Sequence, residues 1–563
     1  MLYSRLVEVY ERLEATSKGL EKTSIISEFL GKVVDEPKVI YLLLGRVFPD
    51  YDEREFGISE QLAIKSLAKA SGISKEQVVR KFKSFGDLGL VAEDIMKDKK
   101  QSTLFSKKLT TEKVLENLRK LPELVGKGTV EKKLNLIIEL LNSASEKEAK
   151  YIIRTVLGDL KIGIGLALLR DAIVDFCFKP KDISEKKEKA EIVQSAYDKV
   201  TDFAEVFEKA CKNKLGEISL SPGKPVKVML FPKAKDIDDA FETVGKPCAM
   251  EFKYDGFRMM LNKDEKGEIK IFTRRLDNVT KQFPDAVKYV GENVDAKTFI
   301  IDGEAVGYDP KTKKYLPFQA ISQRIKRKYD IEKLEKELPI ELNIFDIIYY
   351  NGKSLIDTQF KERRKILEKI VKPVKRKIVL AEQIITDSKE KAEKFYEKAL
   401  KEGQEGLMAK SLEAGYKPGA RIGYAVKLKP EAEDFDLVIT GAEYGTGKRA
   451  GWLTSYDVSC KSGSELLEVG KVSTGLKEKP EEGLSFVEMT KKLKKLITEE
   501  KGRHVKVKPE IVVTVMYQNI QKSPTYTSGY ALRFPRIKML RPDRGVGDIA
   551  TLNEVEKEAK KKV

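Results

Sequence analysis

Lys253 lies in Glu251-Phe-Lys-Tyr-Asp-Gly-Phe-Arg258, where alternation along an extended chain puts Glu251, Lys253 and Asp255 on one face and Met250, Phe252 and Tyr254 on the other. One face reads as core and the other as chemistry. At its ordinary pKa near ~10.4 a lysine is protonated and a poor nucleophile, so an attacking lysine needs neighbours that favour the neutral amine. Arg258 and a bound metal ion are candidates for that role. A surface strand with a weak Lys–Asp pair would show the same local pattern, so the decision falls to the rest of the chain.

Four downstream clusters supply other chemistries. Ile301-Asp-Gly-Glu304 ends an apolar strand with a carboxylate, and Phe345-Asp346 sets an aromatic beside an acid. Glu405-Gly-Leu-Met-Ala-Lys410 and Tyr424-Ala-Val-Lys427-Leu-Lys429 follow. Glu304 and Glu405 can hold a divalent cation through hard oxygen donors, and Lys427 and Lys429 can neutralise a phosphate. Phe345 can stack on a purine, Glu251 can accept from an exocyclic amine, and Lys253 can attack an α-phosphorus. Each cluster alone also fits an amphipathic strand; together they are the parts that nucleotidyl transfer requires.

These residues need elements to position them. Residues 1–215 read as an all-helical unit, with Leu134, Ile137, Ile138 and Leu141 at helical spacing and one long charged helix over 185–212. Ser74-Lys-Glu-Gln77 is a capping box that starts a helix at Lys75, and with the preceding helix over 61–70 it forms a helix-turn-helix pattern. Residues 216–430 read as α+β, with strands over 248–254, 258–262, 268–274, 298–308, 315–320, 340–350, 406–410 and 424–428. Residues 431–563 hold five short strands and an amphipathic helix over 485–498, the pattern of a small β-barrel of the OB type, a common nucleic-acid platform. The basic tail from Lys557 to Val563 reads as frayed.

Composition narrows the partner class. The net charge of +18 attracts polyanions, and nucleic acid leads among them. The 35% content of charged residues, against a typical ~25%, fits a thermophilic protein equally well. Four cysteines without a C-x-x-C spacing argue against a disulfide framework and a zinc ribbon, and the single His504 excludes HExxH sites. No apolar run reaches membrane-spanning length and the N-terminus is charged, so a cytoplasmic location with no membrane partner is expected.

On these motifs and their order the chain resembles ATP-dependent DNA ligases of the archaeal and eukaryotic type, covalent nucleotidyltransferases. Lys253-Tyr-Asp-Gly matches the adenylation motif, and Phe272-Thr-Arg274 the ribose segment. Arg533-Phe-Pro-Arg536-Ile-Lys-Met-Leu-Arg541-Pro-Asp-Arg544 is similar to the last motif, and the segment Arg154 to Gly163 is similar to the DNA-binding domain. The resemblance implies a helical DNA-binding domain, an α+β adenylation domain and an OB-fold domain. It further implies Lys253 as the nucleophile, Glu251 as the adenine contact, Arg258 and Arg274 as sugar and phosphate contacts, and Phe345 as the stacking platform. Glu304 and Glu405 become metal or ribose ligands for Mg2+ or Mn2+, and Arg421, Lys427 and Lys429 phosphate contacts. Arg533, Arg536, Arg541 and Arg544 orient pyrophosphate or touch DNA.

The implied reaction joins ATP and nicked duplex DNA through a lysyl-AMP, carried out by a monomer in replication, repair and recombination. Gln101-Ser-Thr-Leu104-Phe105 resembles the short loop by which archaeal ligases dock on the sliding clamp. Two positions depart from the family pattern: Thr273-Arg274-Arg275 replaces the usual Ser-Arg-Asn, and Arg544 stands where lysine is usual. Arginine keeps the charge but not the point-charge geometry. RNA ligases and capping guanylyltransferases share the lysine chemistry and the barrel, yet the helical region and Arg533-Phe-Pro-Arg536 favour DNA ligase. A non-catalytic nucleic-acid scaffold would explain the charge without forming a covalent adenylate.

Overall fold

Helical spacing in the first 215 residues does produce helices, twelve α-helices among the described residues, packed around a core that runs from Tyr3 to Ile218. The computed structural model describes all residues except 53, 98–107, 127, 326, 328–329, 422, 431–432, 447–448, 450, 479–483 and 562–563. Helix Thr129–Ser143 buries Leu134, Ile137, Leu140 and Leu141. At Lys75–Phe85 the Ser74 hydroxyl accepts from the Gln77 N–H while the Gln77 side chain accepts from the Ser74 N–H. The helix expected over 185–212 is two helices, Ile183–Val200 and Phe203–Cys211. Thr201 takes a left-handed φ of 50°, and the Asp202 carboxylate accepts from the N–H groups of Ala204 and Glu205, so the second helix starts afresh.

The chain divides into two compact units, Met1–Leu428 and Lys429–Val563. In the first, the helices are followed by strands β1 (Cys248–Lys253), β2 (Phe257–Lys263), β3 (Ile269–Thr273), β4 (Phe299–Gly307) and β5 (Ile340–Tyr350). Then come β6 (Lys353–Ser354), β7 (Ile378–Leu380), β8 (Gln383–Thr386), β9 (Gly406–Ser411) and β10 (Ala425–Leu428). They form an antiparallel four-stranded sheet, ordered β10-β9-β1-β8, and a six-stranded sheet, ordered β3-β2-β4-β5-β6 with β7 parallel to β5. The apolar face of the four-stranded sheet, with Met250, Phe252, Leu407 and Val426, packs against helices Ile237–Val244 and Lys389–Lys401. The strand expected over 315–320 is absent among the described residues. Tyr315 makes a single bridge to Tyr308, and helix Phe318–Ile325 begins directly after Pro317, whose fixed φ suits a helix start.

The second unit is an OB-fold. It contains β11 (Glu433–Tyr444), β12 (Leu453–Ser462), β13 (Glu465–Val472), β14 (Ile497–Lys501) and β15 (His504–Val507), then β16 (Val512–Tyr517), β17 (Asn519–Lys522), β18 (Tyr530–Arg533) and β19 (Arg536–Leu540). The helix expected over 485–498 stops at Lys494, and Ile497 already belongs to β14. Of the tail expected to fray, residues 557–561 continue a helix, Leu552–Lys561, and 562–563 lie outside the described residues. Thr551 and Glu554 cap the helix reciprocally, and Val555 is fully buried in the core.

Candidate active site

β1 sets Glu251 and Lys253 on the sheet face opposite the apolar core, and its neighbours complete that face. Gly406 of β9 stands opposite Lys253, Met408 opposite Glu251 and Lys410 opposite Ala249; Gln383 of β8 pairs with Glu251, and Lys427 of β10 with Met408. Two motif glycines are there because backbone comes close. A Cβ on Gly256 would lie 2.3 Å from the Ala305 carbonyl oxygen, and one on Gly406, where φ is 140°, would lie 2.1 Å from that of Leu428.

Lys253 Nζ lies 2.5 Å from Glu405 Oε2, and the Glu405 N–H donates to the Lys253 carbonyl at 2.8 Å. Glu304 stands on β4 opposite Arg258 of β2. Burial pushes the Glu304 carboxyl up to about 7; Lys253 and Arg258 act against that, and Glu405 and Asp302 reinforce it. Arg258 does not serve Lys253 as expected. Its guanidinium grips the fully buried Asp302 carboxylate, with Nε to Oδ1 at 2.9 Å and Nη2 to Oδ2 at 2.5 Å, and Nη1 donates to the Met229 carbonyl. The charge beside the lysine is therefore acidic, since the arginine is committed to a closer carboxylate. The Phe345 ring centroid lies 5.4 Å from the Arg258 guanidinium carbon. Glu251 is 1% exposed, accepts from Gln383 Nε2 at 2.8 Å, and pairs with Lys410.

The remaining candidates are more scattered. Arg274 is exposed in the turn after β3, and Arg421 is exposed where it bridges Leu230. Lys427 is half-buried on β10, whereas Lys429 falls just past that strand, at the start of the second unit. In the OB-fold, Asp436 binds both Arg541 and Arg544, at 2.8 and 2.6 Å, and Arg541 also pairs with Asp543. Arg533 lies against its neighbour Phe534, and Arg536 is exposed on β19. Gln101, Leu104 and Phe105 lie outside the described residues. Asp255 accepts from the Phe318 N–H, a supporting contact.

Asp302, Lys410, Tyr416 and Gln383 were not singled out from sequence. Asp302 and Lys410 sat inside quoted motifs, so a local signal existed. Nothing local marks Tyr416, whose hydroxyl donates to the Asp302 carboxylate at 3.3 Å. Among the described residues no group of three or more metal-ligating side chains converges. The two carboxylates near Lys253, Glu304 and Glu405, are the donor set that Mg2+ accepts when substrate phosphates complete its shell.

Lys253 beside Glu405 on the four-stranded sheet, with Glu304 opposite Arg258 on the six-stranded sheet and Phe345 near that arginine, matches the nucleotidyltransferase class. The family description "ATP dependent DNA ligase domain" matches residues 228–429, "DNA ligase N terminus" residues 2–174, and "ATP dependent DNA ligase C terminal region" residues 449–544. A DNA ligase of Nanoarchaeum equitans is 45% identical over 99% of this chain and 98% of its own length; one of Thermococcus fumicolans is 42% identical over the same shares. A solved structure named Pmar-Lig_PreS3 shares the fold, with a TM-score of 0.53 at 16% identity, covering 95% of this chain and 99% of its own. The chain belongs to the ATP-dependent DNA ligase family. Among the described residues no helix is long and apolar enough to cross a membrane.

Proposed function

We propose that this ligase seals nicks in duplex DNA through AMP carried on Lys253. The observation that bears most weight is the 2.5 Å contact between Lys253 Nζ and Glu405, with Glu304 close by and Phe345 near Arg258, which stands opposite Glu304. Glu405 orients the amine and accepts its proton. The neutral amine attacks the α-phosphorus of ATP; a P–N bond forms, the bond to the β-phosphate breaks, and pyrophosphate leaves. The 5′-phosphate of the nick then takes AMP from Lys253, and the 3′-hydroxyl displaces AMP to close the strand. Glu304 and Glu405 would hold Mg2+ or Mn2+, which supplies positive charge against the phosphates. Phe345 stacks on the base, Glu251 accepts from its amino group, and Arg274, Arg421, Lys427 and Lys429 meet sugar and phosphates.

The reading further comprises a helical domain at 1–215, an adenylation domain at 216–430 and an OB-fold domain at 431–563. In the last of these, Arg533, Arg536, Arg541 and Arg544 meet pyrophosphate or DNA. The enzyme acts as a cytoplasmic monomer that docks on a sliding clamp through Gln101, Leu104 and Phe105. Incubation with labelled ATP and Mg2+ should leave AMP covalently on the protein and seal a nicked duplex. Lys253→Ala should lose both; labelled AMP retained by that variant would show the nucleophile to be misassigned.

A further inference from the structure

Two of the four cysteines meet in the helical region although 34 residues separate them along the chain. Cys177 lies near the end of helix Leu166–Phe178, Cys211 is the last residue of helix Phe203–Cys211, and their Sγ atoms are 3.5 Å apart. Beside them the rings of Phe176 and Phe207 pack with centroids 6.1 Å apart, so the two helices already bear on each other where the thiols meet. Both thiols are partly exposed, which puts them within reach of a small solute. Cys248 and Cys460, by contrast, are fully buried in two separate cores. A disulfide holds its sulfurs at about 2 Å, so the pair stands only about 1.5 Å from bonding distance. Side-chain rotation and a small shift at the end of a helix, where backbone frays most readily, can cover that gap.

We propose that Cys177 and Cys211 form a redox modification site, joined into a disulfide by a low-molecular-weight disulfide and reopened by a small thiol. The Cys211 thiolate attacks one sulfur of the small disulfide; a new S–S bond forms to Cys211, the old one breaks, and the departing thiolate takes up the proton that Cys211 lost. Cys177 then gives up its proton and attacks Cys211 Sγ, and the second small thiol leaves. Two electrons have passed from the protein to the small disulfide. Burial raises both thiols, but contact with Cys177 eases ionisation of Cys211 while contact with Cys211 opposes that of Cys177, which sets the order of attack. The second attack is intramolecular and comes from a thiol already in contact, so the mixed disulfide is short-lived. The bond ties the two helices together across the intervening helix Ile183–Val200 and closes a loop in the unfolded chain, which stabilises the helical region.

The test takes the full-length chain, reduced and then exposed to oxidised glutathione, with free thiols alkylated before and after unfolding and the digest read by mass spectrometry. The peptides bearing Cys177 and Cys211 should appear joined, two hydrogens lighter than their sum, in a species that runs as a monomer on a non-reducing gel. Cys248 and Cys460 should be alkylated only after unfolding. The oxidised protein should melt about 5–10 °C above the reduced protein, and a reductant should reverse the shift. Cys177→Ser should stop at a glutathione adduct on Cys211, and neither it nor Cys211→Ser should gain melting temperature on oxidation. Thiols that stay free, two glutathione adducts with no joined peptide, or a disulfide-linked dimer would each overturn the proposal. So would a joined protein that melts no higher than the reduced one.

Discussion

In the helical region Lys150 and Arg154, 6% and 3% exposed, meet Glu11, Glu14 and Asp87, whereas in the cleft Lys253 meets Glu405 and Glu304. Burial opposes ionisation of Glu11, yet hydrogen bonds from Lys150, Tyr151 and Lys147 hold it at about 2. Asp87 is also lowered against burial, by Arg154 and Lys161. In the cleft burial prevails, and Glu304 is raised to about 7. The difference lies in how the cations are spent. Lys147, Lys150, Lys161 and Arg154 surround the acids of the first cluster, while in the second Arg258 is committed to Asp302. A charge-saturated cluster locks helices together; a cleft with acid in excess is fitted for an incoming cation and the phosphates that travel with it.

The contrast can be broken at three points. Arg154→Met takes the buried guanidinium from Asp87 and one of two buried cations from Glu14, and should cost about 3–5 kcal/mol in denaturant unfolding. Covalent AMP labelling at temperatures where the variant is folded should stay near that of the unsubstituted protein; a stable variant would show that the cluster is not a lock. Glu405→Gln should do the reverse. It should lower the labelling rate about 100-fold or more, because the group proposed to orient Lys253 and take its proton is gone. Its melting temperature should hold or rise, since one acid of an acid-rich cluster is neutralised, and a marked fall would place Glu405 among structural residues. The smallest effect concerns pH. Glu11, Glu14 and Asp87 have lowered folded pKa values, so their stabilisation is present above the ordinary carboxylate range and is lost as pH falls through their folded values, about 2 for Glu11. Denaturant midpoints should fall between pH ~4.5 and ~2, and more shallowly in Arg154→Met; parallel curves would refute that origin.

Much of the candidate site's placement was legible because its residues lie in short local patterns. Alternation placed Glu251 and Lys253 on one face of β1, and the capping box at Ser74 and the apolar spacing at Leu134 marked helices that form where expected. Prediction failed where a neighbour distant in sequence decides the outcome. Residues 315–320 look like a strand, but among the described residues no strand edge pairs with them beyond the bridge to Tyr308. The basic run from Lys557 reads as frayed from its charge, but through Lys561 it continues a helix that Val555 anchors in the core of the OB-fold.

By itself, then, the amino-acid sequence determined the order of the motifs and the fold class, and it pointed to the proposed nucleophile, two acids and aromatic, because these depend on residue type and local spacing. The tertiary structure decided who partners whom. Arg258 turns to Asp302 between β2 and β4, while Lys410 turns to Glu251 and Lys253 is left to Glu405 because β9 joins β1 from more than 120 residues away along the chain. Side-chain periodicity states which face a residue occupies; it does not state which strand lies alongside, and in a buried cleft that neighbour determines which charges are cancelled.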